Sequence, residues 1–390
     1  MVHRRFWLKL LEHAWKERSV VWLAGVRRVG KTCLCQDLPE VEYFDCELPR
    51  VRRMMLDPES FLDGLVGKRI VLDEIHRLQN PSELLKIAAD HHSRTHIVAT
   101  GSSTLGASKK FRDTLAGRKR DVWLAPMCLL DMDDANQADL KHRFLRGGLP
   151  PFFLPDKHPE RDFQEWMDAY WAKDIQELFR LERRDSFQRF TELVMAQSGG
   201  IFDATRFARP CEVSRPTITK YLRVLEATFV AHVIRPFSTR RPTEIVAAPK
   251  VYGFDTGFTC YYRGWQDLRD DDLGTLWEHF VLNEIMARSQ NREVFYWRDK
   301  RGHEVDFVIA THRKRPAAIE CKWSANNFDP TNLIAFRYQH PEGDNLVLAH
   351  DVERAFTRSY GDLRVRFDGI RSFADSLSDP RPDVPVRQKN

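Results

Sequence analysis

Val20-Val21-Trp22-Leu23-Ala24-Gly25-Val26-Arg27-Arg28-Val29-Gly30-Lys31-Thr32 joins an apolar, Val-rich run to the spacing G-x-x-x-x-G-K-T. The run reads as a buried parallel strand. Its glycines allow a turn tight enough for successive backbone N–H groups, and the helix N-terminus behind them, to face one anion. A strand feeding such a turn is the P-loop pattern, which cradles a polyphosphate. The phosphate-facing set is Gly25, Arg28, Val29, Gly30, Lys31, Thr32 and Cys33. Lys31 is expected to reach the β- and γ-phosphates, and Thr32 to place its hydroxyl on Mg²⁺.

A second apolar run, Arg69-Ile70-Val71-Leu72-Asp73-Glu74, ends in paired acids and reads as a buried strand that delivers carboxylates at its C-terminal end. With a P-loop upstream, Asp73 is expected to hold Mg²⁺ and Glu74 to polarise the attacking water. His96-Ile97-Val98-Ala99-Thr100 is the next strand, followed by Gly101-Ser102-Ser103. Ser102 is a candidate to hydrogen-bond the γ-phosphate or the attacking water; capping of the next turn is the other reading of these hydroxyls. The basic run at residues 108–120 offers Arg118 as the cation for transition-state charge, from the same chain or from a neighbouring copy. A solvated basic loop is the alternative.

The bulk numbers set bounds on this reading. A chain of 390 residues is long enough for two or three domains with their own cores. A hydrophobic share of 42% and a charged share of 30% suit a soluble globular protein, and charged residues interrupt every apolar run before it reaches membrane-span length. The N-terminus lacks the apolar core of a secretory signal, so a cytoplasmic protein without membrane contact is expected. Seven cysteines, odd in number and without a C-x-x-C pair, argue against a zinc site or a disulfide framework. The net charge of +5 tolerates a nucleic-acid partner without demonstrating one.

Gly147-Gly148-Leu149-Pro150-Pro151 has turn chemistry and is expected to form a hinge or boundary. Beyond it, Phe163, Trp166, Met167, Tyr170 and Trp171 recur at helical spacing and read as core. Ser214-Arg215-Pro216-Thr217-Ile218-Thr219-Lys220-Tyr221-Leu222-Arg223-Val224-Leu225 opens with a Ser cap and sets Ile218, Tyr221, Leu222 and Leu225 on one face. The opposite face shows Arg215, Thr217, Thr219, Lys220 and Arg223, as the recognition helix of a helix-turn-helix does, with following strands as a wing. Such modules also serve purely for packing.

Farther on, Leu276, Trp277, Phe280, Val281 and Ile285 define one apolar helix face, with Glu278 and Glu284 off it. Three strands follow, at residues 294–297, 304–309 and 318–323. Glu320 and Lys322 lie two apart and project from one face; Asp306 joins them if the last two strands pair. A cross-strand salt bridge on a solvated sheet is the other reading.

Gly25 to Thr32, Val71-Leu72-Asp73-Glu74-Ile75, Thr100-Gly101-Ser102-Ser103 and Leu115-Ala116-Gly117-Arg118 together resemble the prokaryotic AAA-type ATPases whose C-terminal half is a nuclease-like domain of unknown function. The resemblance continues through Phe144 to Pro150 and Lys250-Val251-Tyr252-Gly253-Phe254-Asp255-Thr256-Gly257; it departs at Val26, where the family commonly has Pro. It implies ATP as the nucleotide and an AAA-like topology. The C-terminal half resembles the PD-(D/E)xK nuclease fold. That implies one or two Mg²⁺ on Asp306, Glu320 and the Cys321 carbonyl, Glu278 as an additional ligand, and Lys322 positioning or deprotonating the attacking water.

The expected fold is therefore α/β. A P-loop parallel-sheet domain occupies residues 1–150, a winged-helix-like domain 151–255, a PD-(D/E)xK-like domain 256–375 and a flexible tail 376–390. The expected function is ATP binding and hydrolysis coupled to binding or acting on nucleic acid, DNA first, through a metal-dependent nuclease-like site. The alternative is an ATP-dependent switch or signalling protein whose nuclease-like domain is an inactive binding module. A second copy of the chain is a further candidate partner.

Overall fold

Val20–Ala24 is apolar and buried at every position, as a strand covered on both faces must be, and forms β1 of an all-parallel sheet. The computed structural model describes residues 2–101, 109–155, 160–176, 183–238, 248–290, 293–310 and 315–378. Ser102, Ser103 and Ser108, and the expected tail beyond 378, lie outside the described residues. The chain divides into two compact units, Met1–Val233 with Val251–Asp267, and Ile234–Lys250 with Leu268–Asn390.

In the first unit, β2 (Val41–Asp45), β3 (Arg69–Asp73), β4 (His96–Thr100) and β5 (Lys119–Trp123) complete the sheet in the order β2-β3-β4-β1-β5. The register sets Leu23 beside Thr100 and Leu72 beside Ala99, so β4 separates the strand of the glycine turn from the strand of the acids. All these strands run the same way, which brings the turn after β1, the end of β3 and the tip of β4 to one sheet edge. Trp22, Ile70, Leu72, Ile97 and Ala99 share a core with Leu84, Leu85 and Phe111 on one side of the sheet. The helix Arg5–Glu17 buries Trp7, Leu11, Ala14 and Trp15, and the Trp15 indole donates to the Ile97 carbonyl at 3.1 Å.

The segment Gly147–Pro151, expected as a hinge or boundary, lies inside this unit and is a junction tied by buried hydrogen bonds. Asp255 accepts from the Gly148 N–H at 2.6 Å and from the Gly257 N–H at 2.9 Å, while buried Arg143 donates to the Met127 carbonyl and the Thr256 hydroxyl, each at 2.9 Å. The glycines allow close backbone approach here. Phe163, Trp166 and Tyr170 are buried with Phe254 and Phe258, as core. The helices Arg184–Ala196, Ala204–Ala208 and Arg215–Ala227 follow, with β6 (Gly200–Ile201), β7 (Ala231–Pro236) and β8 (Lys250–Gly253). Ile218, Tyr221, Leu222 and Leu225 point inward from Arg215–Ala227, and Arg215, Lys220 and Arg223 are exposed.

The second unit is built on β9 (Val294–Arg298), β10 (Glu304–Ile309), β11 (Ala317–Lys322), β12 (Asn345–Ala349), β13 (Phe356–Tyr360) and β14 (Leu363–Asp368), in the order β13-β14-β12-β11-β10-β9. Antiparallel pairing of β10 with β11 gives way to parallel pairing of β11 with β12 and β12 with β14. The helix Asp270–Ser289 is buried on far more than the single face its periodicity suggests, because it packs against β11 and against the helix Ile370–Ser378. Glu284, expected off the apolar face, is fully buried with Arg288 at 3.6 Å. Ile370–Ser378 also takes the first three residues of the expected tail into a helix. Among the described residues no helix is long and apolar enough to cross a membrane.

The junction yields a direct test. Gly147 has φ +80°, and a Cβ there would stand 2.0 Å from Asp255 Oδ1. Gly147→Ala is expected to lower stability by about 2–4 kcal/mol in urea unfolding; an unchanged midpoint would show that the junction yields.

Candidate nucleotide site and a second acid pocket

Gly25 leaves β1 where a side chain has no room: a Cβ would lie 2.7 Å from the Leu124 carbonyl oxygen. The turn then passes through Arg28 at φ 62° and Gly30 at φ 100° and enters the helix Lys31–Gln36. Val29 is buried, while Arg28, Thr32 and Cys33 are exposed. The half-buried Lys31 ammonium folds back onto the turn, donating to the carbonyls of Gly25 at 2.9 Å and Val26 at 3.2 Å. Burial pulls its pKa below the ordinary lysine value, against the pull of Glu74 and Asp174. An ammonium spent on two backbone carbonyls at a glycine turn is a cation available to phosphate oxygens.

Asp73, 3% exposed, gathers the neighbouring hydroxyls. Thr32 Oγ1 donates to Asp73 Oδ2 at 2.9 Å, Tyr43 OH donates to the same oxygen at 2.5 Å, and Thr100 Oγ1 donates to Oδ1. The P-loop hydroxyl and the β3 carboxylate expected to share a metal are thus in contact. Their hard oxygens suit a hydrated Mg²⁺. Glu74 next door adopts the left-handed conformation at φ 54°, with its N–H donating to Thr100 Oγ1 at 3.1 Å and its carboxylate 3.0 Å from the His76 ring. Burial pushes the Glu74 carboxyl up, but the His76 hydrogen bond and the charges of His76, Lys31 and Arg27 outweigh it and leave it below its usual value.

Residues far from the motif hold this turn. Arg4, 4% exposed, donates to the Val29 carbonyl at 2.9 Å, to the Ala125 carbonyl at 2.9 Å and to both oxygens of Asp131 at 3.0 and 2.7 Å. Burial raises the Asp131 carboxyl, and Arg4 with two further donors, Cys128 N–H and the Trp7 indole, more than offsets this. On another side of the turn, Arg27 pairs with buried Asp174 at 2.9 Å, and Trp166 donates its indole N–H to the Arg27 carbonyl at 2.9 Å. Asp174 lies in a π-helical turn, Trp171–Ile175, a local irregularity often found at working sites. A cavity of about 640 Å³ opens over the turn, lined by Gly25, Lys31, Thr32, Glu74, Lys173 and Asp174 among others. Its size suits a nucleotide.

Arg118 is not part of this cluster. It precedes β5 at the sheet edge opposite the P-loop, since Lys119 registers with Val20 at the start of β1, and its guanidinium pairs with Asp90 at 2.7 Å. Within one chain the length of β1 therefore separates it from Lys31.

The second pocket belongs to the second unit. The register that pairs Phe307 with Ile319 brings Asp306 and Glu320 to adjacent positions on β10 and β11. Asp306 Oδ2 accepts from the Cys321 N–H at 2.8 Å, and Lys322 Nζ donates to Glu320 Oε2 at 2.7 Å. Glu320 is 1% exposed, and its other oxygen, Oε1, has no hydrogen-bond partner among the described residues. Burial, then the charge of Asp306, pushes its pKa up to about 8. Glu278 is turned to a different partner: Lys250 Nζ lies 3.0 Å from Glu278 Oε1 and 2.6 Å from Glu304 Oε1. Among the described residues no three His, Cys, Asp or Glu side chains gather closely enough to hold a metal ion, so the cage expected of Glu278, Asp306 and Glu320 is not assembled. Lys250 pairs with Glu278 and Lys322 with Glu320 instead.

Sequence spacing gave no sign of Arg4, Asp131, Asp174 or Lys250. Each acts across more than 25 residues of chain, and each resembles an ordinary charged position until the fold buries it.

Residues 17–132 match a family model described as an AAA domain. Residues 137–269 and 273–364 match two domains of unknown function, DUF8612 and DUF4143. The uncharacterized proteins Rv2008c of Mycobacterium tuberculosis and Mb2031c of Mycobacterium bovis are each 28% identical over 335 residues, covering 83% of this chain and 74% of their own length. Among solved structures, the Walker-type ATPase PABY2304 of Pyrococcus abyssi matches 67% of this chain and 96% of its own at 15% identity, with a TM-score of 0.43. Cdc6p of Pyrobaculum aerophilum matches 67% of this chain and 93% of its own at 12% identity, with a TM-score of 0.25.

The raised Glu320 pKa sets a pH dependence. A carboxyl at 4.5 in the unfolded chain and about 8 in the fold contributes stability that is complete below 4.5 and drains away as pH rises toward 8. In metal-free buffer, Glu320→Gln is therefore expected to raise the thermal midpoint relative to wild type at pH 8 and to gain nothing at pH 4.5; equal effects at both would show an ordinary acid.

Proposed function

Starting from an AAA-type ATPase domain in residues 17–132, we propose that the protein binds and hydrolyses ATP with Mg²⁺ and uses the cycle to regulate contact with nucleic acid. The observation that carries the reading is the contact of Thr32 Oγ1 with Asp73 at 2.9 Å, beside Lys31. Lys31 exchanges its backbone carbonyls for the β- and γ-phosphates, and the N–H groups of the turn from Arg28 to Cys33 hold the remaining oxygens. Thr32 and Asp73 would hold Mg²⁺, which when bound neutralises charge on the phosphate oxygens. Glu74 orients the attacking water, with His76 fixing its carboxylate, and Ser102 is assigned to the same water or to the γ-phosphate. Arg118 serves, on this reading, in a neighbouring copy rather than in its own chain.

The nucleic-acid part rests on the exposed face of Arg215–Ala227, where Arg215, Lys220 and Arg223 stand clear of a buried apolar face in a winged-helix-like unit. A second reading, metal-dependent phosphodiester cleavage by a PD-(D/E)xK-like second unit, is favoured by the unpartnered Glu320 Oε1 close to Asp306 and Lys322. Asp306, Glu320 and Glu278 would hold the metal, and Lys322 would position the water.

Lys31→Ala is expected to weaken ATP binding at least tenfold, and Asp73→Asn to lower kcat roughly 100-fold; unaltered ATP binding by Lys31→Ala in calorimetry would remove the reading. For the duplex, Lys220→Gln with Arg223→Gln is expected to weaken binding and flatten its salt dependence by about two counterions. An unchanged slope would point to a protein partner instead.

A further inference from the structure

Lys250 is the strongest unexplained group in the molecule. It is 4% exposed, and its ammonium lies between the carboxylates of Glu278 and Glu304, at 3.0 and 2.6 Å, with the Tyr296 ring centroid 5.9 Å away. It comes from β8, far along the sequence from the Asp306 and Glu-x-Lys positions, and the segment that resembles the family from Lys250 onward assigned it no role. A lysine is costly to bury and persists only where acids compensate it. Here Glu278, Asp306 and Glu304 do so, holding Lys250 charged although burial opposes this. Glu278 is also shared with a pocket of about 640 Å³ lined by Asp306, Cys321 and Lys322, and next to Cys321 in the chain the buried Oε1 of Glu320 has no hydrogen-bond partner among the described residues.

We infer that Lys250, from behind Glu278, occupies the carboxylate oxygen that a divalent ion in this pocket would need, so that such an ion takes Glu278 as a ligand only by displacing the ammonium. The inference rests on the second reading above, that Asp306, Glu320 and Glu278 can hold a metal. Lys250 is a gatekeeper for the ion, not a group that touches reacting atoms. The physics is competition: an ammonium at hydrogen-bond distance uses the carboxylate lone pairs, and a divalent ion placed beside it is repelled by its charge. Glu304 supplies the second anchor that holds the lysine in place.

The test is calorimetric titration of the full chain with Mn²⁺, without nucleotide, using Asp306→Ala to identify heat that belongs to this pocket. Lys250→Met, which keeps length and removes charge, is expected to bind Mn²⁺ at least tenfold tighter than wild type, and Lys250→Arg is not. A second measurement needs no variant of the lysine: acylation of wild-type Lys250 by acetic anhydride, read by mass spectrometry, should rise severalfold when Mn²⁺ is added and not in Asp306→Ala. If wild type and Lys250→Met show the same Asp306-dependent affinity, or if Lys250 stays protected while the ion binds, the lysine is structural and the inference fails. If no protein shows Asp306-dependent heat, the metal reading itself is overturned, which is a different result.

Discussion

The carboxylate of Asp73 is the contact around which the edge of the first unit's sheet is arranged. Three hydroxyls, from Thr32, Tyr43 and Thr100, converge on it from the P-loop helix, β2 and β4. A buried carboxylate needs several donors, and meeting that need fixes the spacing of the three elements around it. The parallel sheet makes the convergence possible, since strands that all run one way end at one edge. Inserting β4 between β1 and β3 gives the acid strand and the glycine turn a polar tip between them.

Behind that edge, buried ion pairs act as bolts. Arg4 with Asp131 fixes the back of the glycine turn through the Val29 carbonyl, and Arg143 with Asp255, 3.6 Å apart, closes the Gly147–Gly148 junction. Such pairs contribute little net stability over apolar packing, but losing one partner leaves a buried charge, so they strongly disfavour alternative geometries. Arg27 differs, because its partner Asp174 belongs to the helical region matched by a different family model.

The second unit meets a related problem with ammonium groups in place of hydroxyls. Its sheet brings acids into a poorly solvated pocket, and Lys250 and Lys322 compensate them, leaving Glu320 Oε1 without a donor and its carboxyl reluctant to ionise. Carboxylates in excess of their buried donors leave the pocket short of positive charge.

Much of this was legible beforehand, for identifiable reasons. β1, β3, β4, β10 and β11 stand where apolar runs and alternation put them, and the glycine turn that carries Lys31 and Thr32 was readable because its spacing imposes local backbone geometry on a short stretch. The inward and outward faces of Arg215–Ala227 followed from helical period alone. Other features were ambiguous in sequence: close packing and flexibility select the same residue at the Gly147–Pro151 turn, and sequence does not reveal which sheet edge the loop of Arg118 occupies, and so whether it could act in its own chain. The amino-acid order by itself determined the elements and the glycine turn, since both are dictated by neighbours within a few residues. Only the tertiary structure decided that Arg4, Asp174 and Lys250 are buried ionic partners, because a charge acquires that role only when distant chain removes it from water.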